Sequence, residues 1–263
     1  MFDIRKYGRV YPFKFHNIET DIENNKKYIS NVTEEIYHTG YPCNSYWTFE
    51  FIDIISKYIN FDDVKTIFDV GSRDCYQSIE FSTWFKNSEI YAFEANPEAY
   101  NTCLNVSNSY NNINVVGKGV GEKNCKLDFY ISDGNPGSSS LLVVEQKNIP
   151  EWGRQVRSHV VDVVRIDDWC ESNKINFPDI LWVDVQGYEN EVFRGCEGVL
   201  DNVKAIQTEI SFGENDYVNG TEFHSLHSYL ESKNFELVGA IFHECWNGIG
   251  EIDVVYVNKR FKI

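Results

Sequence analysis

One stretch, residues 66–97, limits what this chain can fold into. Ile67-Phe68-Asp69-Val70 is a short apolar run around one acid, as in a strand buried on both faces. It stops at Gly71, where the backbone must turn sharply or approach something closely. Ile79, Phe81, Trp84 and Phe85 then supply the apolar positions of a helix, with Ser72 or Asp74 placed to cap it. A second strand, residues 90–93, ends in Glu94. Strand, glycine turn, helix, strand and acid in that order predict a β-α-β unit. In such a unit the second acid can accept from both hydroxyls of a ribose, while the glycine turn lets the rest of a nucleotide lie against backbone. The plainer alternative is that Asp69 and Glu94 only cap neighbouring loops.

A dinucleotide-binding turn needs G-x-G-x-x-G. Only Gly71 is present, and Arg73 stands at the second position. The turn therefore suits a ligand with a nucleoside but no pyrophosphate, whose other end is an ammonium or a carboxylate. S-adenosylmethionine is such a ligand, and Asp69 would then face the amino group of its methionine part.

The 263 residues suit one domain, or one domain with an arm, and 42% hydrophobic with 15% aromatic residues is ample for a full core. The formal charge is −16 with no basic block, which argues against nucleic acid or an anionic membrane surface as partner. A local basic patch has candidates only around Arg154, Arg157 and Arg165. Seven cysteines lie scattered without C-x-x-C pairs, which fits neither a zinc ribbon nor a disulfide framework and points to a reduced, cytoplasmic protein. No apolar run reaches the roughly 18 residues of a membrane span, and the N-terminus lacks an apolar signal core.

Residues 1–45 read as an irregular or partly helical arm, and residues 46–263 as the folded domain. A helix is expected over 47–59, and another opens at Asn96-Pro97. Further strands are expected at 113–116, 126–132, 160–166, 179–185, 203–210, 235–242 and 252–258. Helices follow around Trp169, from Gln186 to near Leu200, and over 221–233 with Thr221 as its cap. Residues 133–140 form a loop of low intrinsic order, either a connector or a cover for a ligand. Alternating strands and helices argue a parallel sheet covered by helices, and the final hairpin brings one antiparallel strand into it. Ligands in such sheets sit beyond the carboxyl ends of the strands. That rule gathers residues 69–73, Glu94, Gly119, Val120, residues 184–186, Glu209 and His243 onto one face.

Together these residues resemble the FkbM family of S-adenosylmethionine-dependent methyltransferases. The family's D-V-G-A-N-x-G is matched by Asp69-Val70-Gly71-Ser72-Arg73-Asp74-Cys75, with Ser78 at the hydroxyl position that follows. Its F-E-P-N-P appears as Phe93-Glu94-Ala95-Asn96-Pro97, its S-S-L as Ser139-Ser140-Leu141, and its V-x-x-x-L-D-D as the stretch from Val161 to Trp169. Its D-L-L-K-I-D-V-E-G-x-E appears as the stretch from Asp179 to Glu189. The resemblance covers residues 60–258. It implies a Rossmann-like, class I methyltransferase α/β sheet of seven strands, the last antiparallel. It also implies S-adenosylmethionine as cofactor, held by Asp69, Gly71, Ser72, Arg73, Ser78, Glu94, Ala95, Asn96, Gly119, Val120, Asp184 and Gln186. The reaction implied is methyl transfer to a sugar hydroxyl, on a surface or capsular glycan or a nucleotide-linked precursor. The chain departs from the pattern at Arg73 (Asn in the family), Cys75 (Gly), Trp182 (Lys) and Gln186 (Glu), and Glu94 is untouched.

A sugar hydroxyl is a poor nucleophile until a base takes its proton. Asp184, after the strand beside the first, is the leading candidate, followed by His243 and Glu209. Each has a structural alternative: Asp184 orients a turn or the cofactor's amino group, His243 is a solvated turn residue, Glu209 pairs with a Lys or Arg. Asp184, Glu189, Glu209 and His243 could also gather round a hard cation, but no compact ligand motif demands one and no metal is expected. His224-x-x-His227 reads as a surface pair. Tyr41, Tyr46, Trp152, Tyr217 and Trp246 offer aromatic faces to a sugar ring, and Arg154 or Arg157 could meet a nucleotide-linked one. The rival functions are a nicotinamide-dependent sugar oxidoreductase and a non-catalytic nucleotide-binding module. A homo-oligomer stays open.

Overall fold

The computed structural model describes residues 48–144, 155, 157–211, 217–242 and 251–263. Helix α1 (Phe49–Ile55) leads into the β-α-β unit of β1 (Thr66–Val70), α2 (Tyr76–Trp84) and β2 (Glu89–Phe93). Helix α3 (Pro97–Ser107) and β3 (Ile113–Val116) follow, then β4 (Gly119–Val120), β5 (Cys125–Ile131) and β6 (Arg157–Val164). The chain continues through α4 (Ile166–Asn173), β7 (Ile180–Val183), α5 (Glu189–Gly195), β8 (Ala205–Ser211) and α6 (Phe223–Ser232). It closes with β9 (Phe235–Phe242) and β10 (Glu251–Asn258).

Seven strands form one sheet in the order β3-β2-β1-β7-β8-β10-β9. β1 pairs in parallel with both β2 and β7, and β10 runs antiparallel to the two strands beside it, β8 and β9. This is the Rossmann-like methyltransferase sheet expected from the sequence. Strand order reverses between β1 and β7, so the crevice at their carboxyl ends is where a ligand belongs.

Alternation along the buried strands divides the core. Phe68, Val183, Ile206, Val254 and Tyr256 face Val192 and Phe193 of α5 and Leu226 and Leu230 of α6. Ile67, Trp182, Ala205 and Val255 face Phe51 and Ile55 of α1 and Phe81 and Trp84 of α2. Trp182 meets the rings of Phe51 and Phe81 edge-on, each at 5.6 Å. Trp182 stands where the resemblance led one to expect a lysine, and it is packed into this apolar layer.

The sequence placed residues 126–132 and 160–166 simply among the alternating strands. They instead build a second, three-stranded sheet, β4-β6-β5, with its own small core of Phe129, Ile131, Val161 and Val163. The chain leaves the main sheet at Gly117-Lys118 and enters the small one at Gly119, so the small sheet stands beside the carboxyl ends of β2 and β3.

Several helix ends differ from expectation. Neither Ser72 nor Asp74 caps α2: Ser72 is turned to Asp69, Asp74 reaches the Tyr76 N–H only at 3.4 Å, and the cap position is Cys75 at φ 67. Thr221 does not cap α6. Its hydroxyl donates to the Gly187 carbonyl and accepts from the Asn190 N–H, so it serves the start of α5. The helix after Gln186 ends at Gly195, short of Leu200. Of the expected surface pair, His224 is exposed, but His227 is partly buried: its ring stacks on Phe223 and its Nδ1 lies 3.1 Å from the Tyr256 hydroxyl. Arg157 and Arg165 sit at opposite ends of β6, each in its own ion pairs, and make no patch.

Candidate active site

The two strand tips nearest the reversal are locked together. Gly71 has φ 90, and a Cβ there would collide with the Asp184 carbonyl oxygen. The close approach that demands glycine is therefore to the neighbouring strand's backbone as well as to any ligand. The Asp184 N–H donates to the Val70 carbonyl, and the Gly71 and Ser72 N–H groups both donate to the Phe93 carbonyl. The tips of β1, β2 and β7 thus form one rigid rim.

Behind the rim lies Asp69, 1% exposed, accepting from the Ser72 hydroxyl at 2.9 Å and the Ser78 hydroxyl at 2.5 Å. Burial pushes its carboxyl up to about 6, although the two hydroxyls pull it down. Asp69, Ser72 and Ser78, expected from the sequence to hold the cofactor, are bonded to one another and brace the turn from inside. The turn itself carries two non-glycine residues in the left-handed region, Arg73 at φ 47 and Cys75 at φ 67.

Glu94 does face the cavity. One carboxylate oxygen accepts the Arg73 N–H at 2.7 Å, the other the Asn96 N–H at 2.6 Å. Each oxygen keeps a second lone pair, which suits a pair of vicinal hydroxyls. Burial pushes this carboxyl up to about 7, against those two donors.

The cavity holds about 430 Å³. Of the sequence-derived residues, Gly71, Arg73, Glu94, Ala95, Asn96, Gly119, Val120, Asp184, Gln186 and Glu209 line it. Residues 135–139 close one side, so the Ser-rich loop covers the pocket; it is ordered by a short 3-10 turn (Pro136–Ser138) and a bridge from Tyr130 to Ser140. Sequence reasoning missed Gln77, Lys118 and Val144, and read Tyr217 only as a stacking face. Lys118 carried one signal, its place between two glycines at a strand tip.

At the end opposite Glu94, Gln186 sits between two acids. Its Nε2 donates to Asp184 Oδ1 at 2.8 Å and Glu209 Oε2 at 2.6 Å. Glu189 is turned away to the Gly187 N–H and is not part of this group. His243, Arg154, Tyr41, Tyr46, Trp152 and Trp246 lie outside the described residues, among which no cluster able to hold a metal ion occurs.

Residues 69–237 match the family model for the methyltransferase FkbM domain. The chain belongs to that family. S-adenosylmethionine is the cofactor of an FkbM methyltransferase, and the cavity fits it, with an acid for a ribose at one end and apolar walls from Val120 and Phe129 beside it. A relative, the 2-O-methyltransferase NoeI of Sinorhizobium fredii, is 26% identical over 152 residues, which cover 55% of this chain and 63% of that protein. A crystal structure of an FkbM methyltransferase from Methylobacillus flagellatus aligns with a TM-score of 0.49 at 18% identity, over 74% of this chain and 44% of that one. Fibrillarin of Aeropyrum pernix with S-adenosylmethionine aligns with a TM-score of 0.44 at 11% identity, over 74% and 66%. No helix among the described residues is long and apolar enough to cross a membrane.

Proposed function

We propose that this chain is a cytoplasmic O-methyltransferase acting on a sugar hydroxyl, in a surface or capsular glycan or its nucleotide-linked precursor. What carries this is one cavity with two unlike ends: Glu94, braced by two N–H groups, and the Asp184–Gln186–Glu209 group across from it. Residues 46–263 would carry the activity and residues 1–45 an arm.

Bound S-adenosylmethionine supplies a methyl group already activated by its sulfonium. Glu94 would hold the ribose hydroxyls, and Ala95, Asn96, Gly119 and Val120, which line the same cavity, would hold the rest of the adenosine. Asp69, through Ser72 and Ser78, keeps the turn at Gly71 in shape. Asp184 and Glu209, at the tips of adjacent strands, orient the acceptor hydroxyl and take its proton as the oxygen attacks in line. His243 remains a candidate for the same proton. The family resemblance supports a sugar as acceptor, and the relative named a 2-O-methyltransferase supports an oxygen as the atom methylated.

The test is calorimetry with S-adenosylhomocysteine, followed by transfer of labelled methyl to a panel of nucleotide sugars and glycan extracts. Micromolar binding and a labelled sugar, with label lost in Asp184→Asn or Glu209→Gln, is the expected result. Saturation by NAD in place of the donor product would support an oxidoreductase. Donor binding without transfer to any acceptor would leave a binding module.

A further inference from the structure

Two of the free cysteines touch. Cys75 heads α2 and Cys103 lies in α3; both are buried, packed with Ala92 of β2 in one small cluster. Their thiols are hydrogen-bonded to each other, and the Cys103 Sγ lies 3.3 Å from the Arg73 carbonyl oxygen. Cys75 stands where the family pattern has glycine, so the thiol there comes with this chain rather than with the pattern. The pair sits behind the acid that faces the ribose. Glu94 is held by the Arg73 N–H, two residues before Cys75, and by the Asn96 N–H, at the cap of the helix that carries Cys103. Cys103 thus touches both sides of that grip: it belongs to one helix and holds the turn that leads into the other. Methyl transfer as proposed uses neither thiol.

Two thiols in contact are one two-electron oxidation away from a disulfide. We propose that Cys75 and Cys103 form a redox-sensitive catch, in which hydrogen peroxide joins their sulfurs and so loosens the hold on Glu94. One thiol sulfur attacks a peroxide oxygen and becomes a sulfenic acid, with water leaving. The second sulfur then displaces the sulfenic hydroxyl: the S–S bond forms, the S–O bond breaks, and the thiol proton leaves with the hydroxyl as a second water. The two thiols lose two electrons, and the peroxide gains them. In the disulfide Cys103 has no proton left to donate to the Arg73 carbonyl, and the sulfurs close from hydrogen-bond contact to about 2.05 Å. Both changes shift the peptide units that hold Glu94. The bond to Cys75 and burial push the Cys103 thiol up, so it is a poor nucleophile while the turn is closed. The catch therefore sets in the donor-free protein and is slowed by a donor lying over the turn. Its effect rests on the reading of Glu94 as the acid for the ribose.

The probe is hydrogen peroxide on the full chain, read by peptide mass and by calorimetry with S-adenosylhomocysteine. Exposed Cys125 reports that the oxidant has reacted. The expected product is a Cys75–Cys103 crosslinked peptide lacking two hydrogens, slower to form under saturating S-adenosylhomocysteine. Affinity is expected to fall about tenfold, as for the loss of one hydrogen bond, and to return with dithiothreitol. Cys103→Ser, whose hydroxyl can still donate to the Arg73 carbonyl, is expected to bind as the reduced protein does and to keep that affinity in peroxide. Cys75→Ser is the second variant should the first not fold. Oxidised Cys125 with no crosslink in the donor-free protein overturns the proposal. So does a crosslink that leaves affinity unchanged, or the same loss of affinity in oxidised Cys103→Ser. A reduced protein that binds no S-adenosylhomocysteine would instead bring down the ribose assignment, and the catch's effect with it, while mass alone still reads the bond.

Discussion

Glu94 and Asp69 show what a residue's place in a sequence does and does not disclose. Both are acids on adjacent strands, and both are buried. Glu94 ends β2, and its two backbone donors fix it toward the cavity. Removing it takes away charge-assisted bonds to a ribose diol, each worth about 1.5–3 kcal/mol. Glu94→Ala is therefore expected to lower affinity for S-adenosylhomocysteine by about 100-fold or more in calorimetry. Unchanged affinity would remove Glu94 from the ribose. The order acid, glycine, acid was readable, and so was Glu94's place on the ligand face of the sheet. Asp69's direction was not. It depends on Ser72 and Ser78 converging on one oxygen, through a turn in which Arg73 and Cys75 adopt left-handed backbone that only glycine announces in advance.

Among elements, the Ser-rich stretch of residues 133–140 after β5 is held at two points. Arg157 forks to Asp133 at the start of this stretch and to Glu98 at the head of α3, while the Tyr217 hydroxyl oxygen lies 3.1 Å from the Ser138 carbonyl. The Glu98 carboxyl is held below the usual range by Arg157. Asp133 and Glu98 are exposed, so these pairs should add little to global stability. Arg157→Ala is expected to leave the melting temperature within about 3 °C, yet to speed dissociation of S-adenosylhomocysteine several-fold in stopped flow. Equal dissociation rates would mean that the loop does not hold the ligand. Gly71→Ala is the opposite case, a collision between rigid strand tips, and is expected to destabilise by about 3 kcal/mol or more in denaturant melts. The sequence showed the glycine and the β-α-β unit because local pattern encodes both. The small sheet was hidden because its pairing is long-range, Cys125 opposite Val163, and alternation does not say which sheet a strand joins.

At the scale of the whole molecule, acidity and burial set the response to pH. Burial raises Asp69 to about 6, Glu94 to about 7 and Glu189 to about 7. Unfolded, each would titrate near 4. Between about pH 4 and 7 the folded protein thus binds more protons than the unfolded chain, and stability must fall as pH rises through that window. Surface acids held low by cations act in the other direction: Glu98 by Arg157, Asp162 by Lys126 and Glu197 by Lys233. Their stabilisation is complete above about pH 4 and is lost only below it. His227, pushed down by burial, also opposes the buried acids, but it is one group against three. A formal charge of −16 adds repulsion with the same sign as the buried acids. Between pH 5.5 and 8 the melting temperature of the ligand-free protein is therefore expected to drop by roughly 5–10 °C. Saturating S-adenosylhomocysteine should flatten that slope, since hydroxyls donated to Glu94 favour its ionised form and binding adds stability by mass action. A melting temperature that climbs from pH 5.5 to 8 without ligand would mean that these acids are solvated, and the rigid rim around Glu94 with them.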